Sequence, residues 1–192
     1  MKKLKKIIIV SLGLILLALT GAIMFSPYGK HDGFNYKLIL NTVEINAPAD
    51  SVYKYLGNSA NAKKWSVFVN HISTLNSDSF PDGSVGSRRR CFCNADEKGT
   101  QWDELVTEVV PGKKRQITIY HMVDFSMSAE HLATEQLYEP LGTNKCKLTF
   151  TVFFKHAQPT LWESIKTYIA AYRIKSIFKA NMDNIKKFNE RS

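Results

Sequence analysis

The sequence predicts an α+β domain in which a curved sheet of seven antiparallel strands surrounds one long C-terminal helix, behind an N-terminal transmembrane helix. Three observations predict it. An uncharged apolar run lies near the N-terminus, six strand-like segments follow one another in the middle, and apolar residues recur at helical spacing near the C-terminus. Because short turns separate the strand-like segments, we expect antiparallel hairpins, without the alternating helices of a parallel sheet.

The apolar run covers residues 7–25. A helix of this length spans about 28 Å, close to the thickness of a bilayer's hydrocarbon core. A cleaved signal peptide is the alternative, with Thr20-Gly21-Ala22 as its cleavage site, but the apolar run continues to Phe25. We therefore favour a single-pass transmembrane anchor.

The charges around this run predict its orientation. Four lysines precede it, at positions 2, 3, 5 and 6, whereas only Lys30 follows closely. The positive-inside rule then makes residues 1–6 a cytoplasmic basic tail and places the remainder on the non-cytoplasmic side. Residues 26–36 contain Pro, Gly and polar residues typical of a linker, and residues 37–190 form the predicted domain.

The first part of that domain predicts one strand and two short helices. Residues 37–47 alternate between apolar and polar side chains with one irregularity, and Pro48 ends the strand. Asp50 and Ser51 are candidate caps for a short helix, and a second helical segment leads to Trp65. Six further strands are predicted at residues 66–76, 84–94, 101–110, 115–123, 128–139 and 145–155.

The last element is a long amphipathic helix. Thr160 and Glu163 have the spacing of a capping box, and apolar residues recur at helical spacing to about residue 189. This apolar stripe requires a covering surface, which a curved sheet provides. A sheet that grips a helix in this way leaves space between them.

Composition excludes several classes of protein. The net charge is +9, but removing the four N-terminal lysines leaves +5, and Arg88-Arg89-Arg90 belongs to no nucleic-acid-binding motif, so we expect no nucleic-acid partner. Three cysteines are too few for a disulfide scaffold. The sequence has no familiar metal or phosphate-binding motif, so we predict no metal site and no cofactor. We also expect a monomer.

The order of elements and several local motifs resemble the START-like (SRPBCC) superfamily, which includes the polyketide cyclase/dehydrase group and has the helix-grip fold. The motifs lie at residues 43–53, 82–86, 106–111, 139–143 and 147–150, and the resemblance covers residues 37–190. It implies an apolar cavity for a hydrophobic small molecule or lipid. The superfamily has no common catalytic residues, so the resemblance assigns none here.

Candidate ligand-binding residues come from the middle strands. If the turn at residues 111–114 is tight, Glu104 pairs with His121, and a turn at residues 124–127 then pairs His121 with His131. Trp102 and Ile119 share their predicted face. A carboxylate beside two imidazoles can bind a polar group or move a proton. A register slip of one residue would turn this face to solvent, so both orientations stay open.

Three more candidates come from the last two elements. Phe150 belongs to an alternating apolar set in the last strand, and Tyr168 and Tyr172 lie on the apolar side of the long helix. We therefore predict a membrane-anchored domain that binds a hydrophobic small molecule or lipid. An enzyme of the cyclase or dehydratase type, using these His and Glu residues, and an interaction module with a filled interior are the alternatives.

Overall fold

The computed structural model of the chain describes residues 2–29, 37–125, 130–155 and 160–190. Residues 30–36, most of the predicted linker, lie outside this set. Four α-helices and seven strands are described, together with a 3-10 turn at Ser59–Asn61. In chain order they are α1 (Lys2–Met24), β1 (Lys37–Ile45), α2 (Ala49–Gly57), α3 (Ala62–Trp65), β2 (His71–Thr74), β3 (Arg88–Phe92), β4 (Gln101–Val110), β5 (Lys114–Val123), β6 (Glu130–Gly142), β7 (Lys145–Lys155) and α4 (Leu161–Asn189).

The strands form one antiparallel sheet in the order β1-β7-β6-β5-β4-β3-β2. From β2 to β7 each strand pairs with the next along the chain, and β1 closes the other edge beside β7. The predicted α+β architecture, seven antiparallel strands with one long C-terminal helix, is therefore confirmed.

The main core lies between the inner face of the sheet, α2 and α4. Leu148 and Phe150 project from β7 into a cluster with Met182 and Ile185 of α4, and all four are at least 96% buried. Val152 and Phe154 continue the same face of β7 in a second cluster. The predicted inward alternation of β7 is confirmed.

The helix ends agree only partly with the sequence. The capping box of α4 is complete, as predicted: the Thr160 hydroxyl accepts from the backbone N–H of Glu163, and the Glu163 carboxylate accepts from the backbone N–H of Thr160. The predicted cap of α2 is wrong: the N-cap is Pro48, two residues before Asp50 and three before Ser51, and no side chain caps the helix.

The end of α1 is joined to α4. The hydroxyl of Tyr172 donates a hydrogen bond to the carbonyl of Ala22 at 3.0 Å, and the hydroxyl of Tyr28 donates to the carbonyl of Thr167 at 2.9 Å. The Tyr28 ring also lies 5.6 Å from that of Phe154 in β7. Residues directly after α1 therefore take part in the packing of the domain.

Candidate functional site

A cavity of about 70 Å³ lies between the inner face of β3–β7 and the helices α2, α3 and α4. It is smaller than the roughly 300–1,000 Å³ of pockets for drug-sized ligands. Aromatic side chains occupy much of the surrounding space: Phe68 stacks on Trp102 at 5.5 Å, and Phe150 lies 5.8 Å from Phe178. The apolar residues of its walls include Trp65, Phe68, Trp102, Ile119, Phe150 and Phe178.

One end of the cavity is polar and contains a buried ion pair. The Nε of Arg89 lies 2.7 Å from Oε2 of Glu104, and the two side chains are only 7% and 12% exposed. The other oxygen of Glu104 accepts a hydrogen bond from Nε1 of Trp102 at 3.0 Å. Arg89 also donates to the hydroxyl of Ser59 at 3.2 Å. Both carboxylate oxygens of Glu104 are therefore engaged.

The electrostatics of this end keep Arg89 charged and the neighbouring thiol neutral. Burial alone would lower the pKa of Arg89, but the adjacent Glu104 carboxylate outweighs it and holds that pKa above its usual value. Burial, reinforced by the same carboxylate, raises the pKa of Cys91 well above its usual value. Cys91 is therefore a neutral wall residue and not a thiolate nucleophile.

The wall also contains a hydrogen-bond donor without a partner. Nε1 of Trp65 is buried and makes no hydrogen bond within the described residues, although Trp65 lines the cavity. A buried N–H without an acceptor carries a desolvation cost of about 1–3 kcal/mol.

Four of the predicted site residues come together here. Trp102, Glu104, Ile119 and Phe150 all line the cavity. Two features of the β4–β5 pairing keep Trp102, Glu104 and Ile119 on one face: the turn is one residue tighter than predicted, and a bulge between Val106 and Glu108 shifts the register by one more residue. A shift of two residues preserves the face.

The predicted pairing of Glu104 with His121 is wrong. Glu104 pairs with Ile119. A second irregularity between Gln101 and Asp103, with a positive φ of 48° at His121, turns the imidazole to the outer face. There its Nδ1 lies 3.0 Å from Oδ2 of Asp103, and the side chain is 73% exposed. A bulge re-aims a side chain in this way because it interrupts the alternation of the strand.

His131 is also outside the cavity, contrary to the predicted cluster. The β5–β6 register pairs Thr118 with Ala133 and Ile117 with Thr134, one residue away from the predicted alignment. This slip places Thr134 and Gln136 on the cavity wall. The side chain of His131 is exposed.

The two tyrosines of α4 lie elsewhere as well. Tyr168 packs edge-on against Tyr28 at 5.4 Å, and Tyr172 is 42% exposed beside the end of α1. The helix contributes Phe178 and Asn181 to the cavity instead. The helical repeat identified the apolar stripe, but the sequence contains no signal for which turn of a 29-residue helix crosses the cavity.

Sequence reasoning also missed Arg89 as a residue of the cavity and considered it only within the run Arg88-Arg89-Arg90. The available signal was its neighbour across the sheet: Arg89 pairs with Glu104 in the β3–β4 ladder. Opposite charges at paired positions of adjacent strands predict an ion pair on one face. Within the described parts of the chain, no three His, Cys, Asp or Glu side chains are grouped to hold a metal ion.

Comparison with solved structures shows the same fold in proteins of very different sequence. An aromatase/cyclase, Zhui, from a Streptomyces species superposes with a TM-score of 0.61 at 16% identity, covering 82% of this chain and 95% of that one. Norcoclaurine synthase from Thalictrum flavum gives 0.59 at 16% identity, covering 83% and 92%. A START superfamily protein from Mycobacterium smegmatis gives 0.59 at 13% identity, covering 80% and 99%.

No curated protein matches the sequence. The family model for "Polyketide cyclase / dehydrase and lipid transport" matches residues 39–188, which include β2 to β7, most of β1 and almost all of α4. The cavity, the sheet order and the gripping helix all lie within the matched residues. The chain therefore belongs to the polyketide cyclase/dehydrase and lipid transport family, within the START-like superfamily.

Proposed function

We propose that this chain binds a small, mainly apolar molecule that carries an oxygen acceptor, and that α1 holds the binding domain at a membrane. The observation that carries the proposal is the enclosed cavity with aromatic and aliphatic walls, a buried Arg89–Glu104 pair and an unpartnered indole N–H at Trp65. Family membership supports hydrophobic ligand binding in general, and the wall residues suggest this narrower class.

Apolar contact supplies most of the binding energy in this proposal. Burying about 120 Å² of apolar ligand surface contributes roughly 3 kcal/mol. The volume of about 70 Å³ is about half of the roughly 150 Å³ that holds a benzene ring in an engineered apolar cavity, so a ring-sized ligand enters only when a wall side chain moves. Phe178, which lines the cavity and is half-buried, is the side chain that we propose moves.

The polar residues set the orientation of the ligand. Trp65 Nε1 donates to the ligand oxygen, while Glu104, held by Arg89 and Trp102, fixes the shape of the polar end. Catalysis through His121 or His131 has no place in the proposal, because both side chains lie outside the cavity. An interaction module with a filled interior becomes one outcome of the test.

The helix α1 is long and apolar enough to span a bilayer. We propose residues 7–25 as a single-pass anchor with the lysine-rich residues 1–6 in the cytoplasm and residues 37–190 on the opposite side, following the positive-inside rule. The hydrogen bond from Tyr172 to Ala22 supports a position of the domain close to the membrane surface.

The proposal is tested with the full chain in lipid nanodiscs and 4-fluorophenol as a probe, followed by ¹⁹F NMR. Wild type should bind saturably, beyond the partition of the probe into empty nanodiscs. Fluorobenzene, which lacks the oxygen, should bind several-fold more weakly. Trp65→Phe keeps an aromatic ring but removes the donor, so 4-fluorophenol should bind about five- to tenfold more weakly, as for one lost hydrogen bond.

Trp162→Phe is the matched control, because the same change occurs at a side chain that is 63% exposed. It should leave the affinity unchanged. Ile119→Phe adds volume to the cavity wall and should abolish binding in a folded protein. Absence of saturable binding to wild type would support a filled interior, and equal binding to Trp65→Phe would remove Trp65 from the site.

A further inference from the structure

Arg115 is a buried cation outside the cavity just described. It lies near the start of β5, and its side chain is 98% buried. Its guanidinium carbon lies 4.5 Å from the centre of the Tyr53 ring of α2. A buried charge is costly unless it is paired and hydrogen-bonded. The surroundings of this guanidinium therefore decide whether the folded chain supplies its counter-charge.

Among the described residues, only one nitrogen of the guanidinium has hydrogen-bond partners. Nη1 donates at 3.4 Å to Oε1 of Gln136 and at 3.4 Å to the hydroxyl of Tyr138. Nε is buried and has no partner among the described residues, and no hydrogen bond to them comes from Nη2. Nε and Nη2 together form one edge of the planar fork. This edge is the geometry that receives a carboxylate or phosphate in bidentate fashion.

No carboxylate of the described residues lies within 4 Å of Arg115. Burial raises the pKa of Tyr138, so its phenol stays neutral and supplies no counter-charge. Asp82 is the one acidic residue among those that line the neighbouring cleft, and its two oxygens accept from the backbone N–H and the hydroxyl of Ser59, each at 2.7 Å. The carboxylate of Glu104 is committed to Arg89.

Arg115 is one of the residues that border an open cleft, although its Nε is buried. A cleft of about 740 Å³ is bordered by Tyr53, Gly57 and Arg115 on one side and by the loop at Asp82 and Gly83 on the other. Nη2 lies only 2.6 Å from where a Cβ on Gly57 would stand. Glycine at this position therefore lets the guanidinium reach the cleft.

We propose that this cleft is an oxyanion-binding site in which the Arg115 guanidinium receives the carboxylate or phosphate group of a small ligand, first through Nη2 and then, after a small movement of the side chain, through the buried Nε. The site is separate from the apolar cavity, since Gln136 stands between them and Arg115 does not line the cavity. Lys54 adds positive charge at the rim, partly offset by its 2.6 Å pair with Asp50. The bound anion supplies the counter-charge that the described residues do not provide for Arg115.

The test is calorimetric titration of the full chain in phosphatidylcholine nanodiscs with inorganic phosphate and, separately, propionate, against sodium chloride of equal ionic strength. At least one of the two anions should bind saturably, and chloride should not. Tighter phosphate binding identifies a phosphate ester as the source of the group, and tighter propionate binding identifies a carboxylic acid.

Three variants locate the site. Arg115→Gln should weaken anion binding at least tenfold, and Gly57→Ala, which keeps every charge but pushes Nη2 aside, should weaken it several-fold. Lys179→Gln, which removes one positive charge from an exposed pair with Asp183, should have no effect. Binding that is equal in all three variants, or that is absent for both anions in a folded wild type, would overturn the proposal.

Discussion

Replacing Glu104 by glutamine tests the buried ion pair of the cavity. The change removes the carboxylate 2.7 Å from Nε of Arg89 while the guanidinium, 7% exposed, keeps its charge. Breaking a buried pair on one side costs about 3–5 kcal/mol. Asp82 remains 3.9 Å from Arg89, and glutamine still offers one acceptor oxygen. We therefore expect a loss of about 2–3 kcal/mol in the free energy of unfolding.

The measurement is urea unfolding of the full chain in nanodiscs, followed by tryptophan fluorescence, because Trp102 donates to Glu104 and reports on this end of the cavity. Glu139→Gln is the matched control. It breaks a 2.8 Å pair with Lys147 in which the side chains are 50% and 36% exposed. Exposed pairs contribute about 0–1 kcal/mol, so the control should lose no more than that.

A double substitution separates stability from binding. Arg89→Met with Glu104→Leu replaces both charges by apolar groups of similar size, which is often neutral or stabilising for a buried pair. The double variant should therefore recover most of the stability lost in Glu104→Gln, but bind 4-fluorophenol more weakly. Equal losses for Glu104→Gln and Glu139→Gln would refute the reasoning, since they would mean that Arg89 and Glu104 are solvated.

Three further predictions follow from other contacts. Hydrogen bonds from Arg90 and His121 outweigh burial and lower the pKa of Asp103. The ionised carboxylate therefore stabilises the fold fully above the ordinary pKa of about 3.9, and this stabilisation is lost as the pH falls through the lower folded-state pKa. In Asp103→Asn, the free energy of unfolding should lack this loss at acid pH. Tyr28→Ala removes a half-buried ring and a hydrogen bond, so chemical unfolding should show a loss of about 2 kcal/mol, and an unchanged value would contradict this packing. A reporter active only outside the cytoplasm should work when fused after Ser192, whereas activity of a cytoplasm-only reporter there would reverse the proposed orientation.

The architecture could be predicted from the sequence because its signals are local and repeated. Short turns between alternating segments predict hairpins, and the Thr160–Glu163 capping box marks the start of α4 to the residue. The fold places these elements in one sheet around one helix, and the apolar stripe of α4 has few other ways to be buried. The order from β2 to β7 follows from the same succession of hairpins, whereas the pairing of β1 with β7 joins strands about 100 residues apart and has no local signal.

The site was predictable only where alternation is uninterrupted. Phe150 lies on the inner face because β7 pairs with β6 and β1 without a break around it. His121 lies outside because a bulge and a positive φ change its direction, and no residue in the sequence marks that bulge. The β5–β6 register also differs by one residue from the predicted alignment, so Thr134 faces inward and His131 does not.

Packing between residues far apart in the sequence is the other reason why part of the site could not be predicted. Arg89 lies in a run of three arginines, of which only Arg89 is buried, and its partner Glu104 is fifteen residues away. Phe178 and not Tyr168 reaches the cavity because the end of α1 covers the first turns of α4 through Tyr28. Neither arrangement is visible in a local pattern.

The most direct test of ligand binding in the cavity is a crystal structure of the full chain soaked with 4-bromophenol, in which the anomalous signal of bromine locates the probe. We predict one strong bromine site between Trp102, Phe150 and Phe178, with the phenol oxygen within hydrogen-bonding distance of Nε1 of Trp65. Bromine found only along α1 or on the outer surface, with the cavity unoccupied at a saturating concentration of probe, would contradict the proposed function.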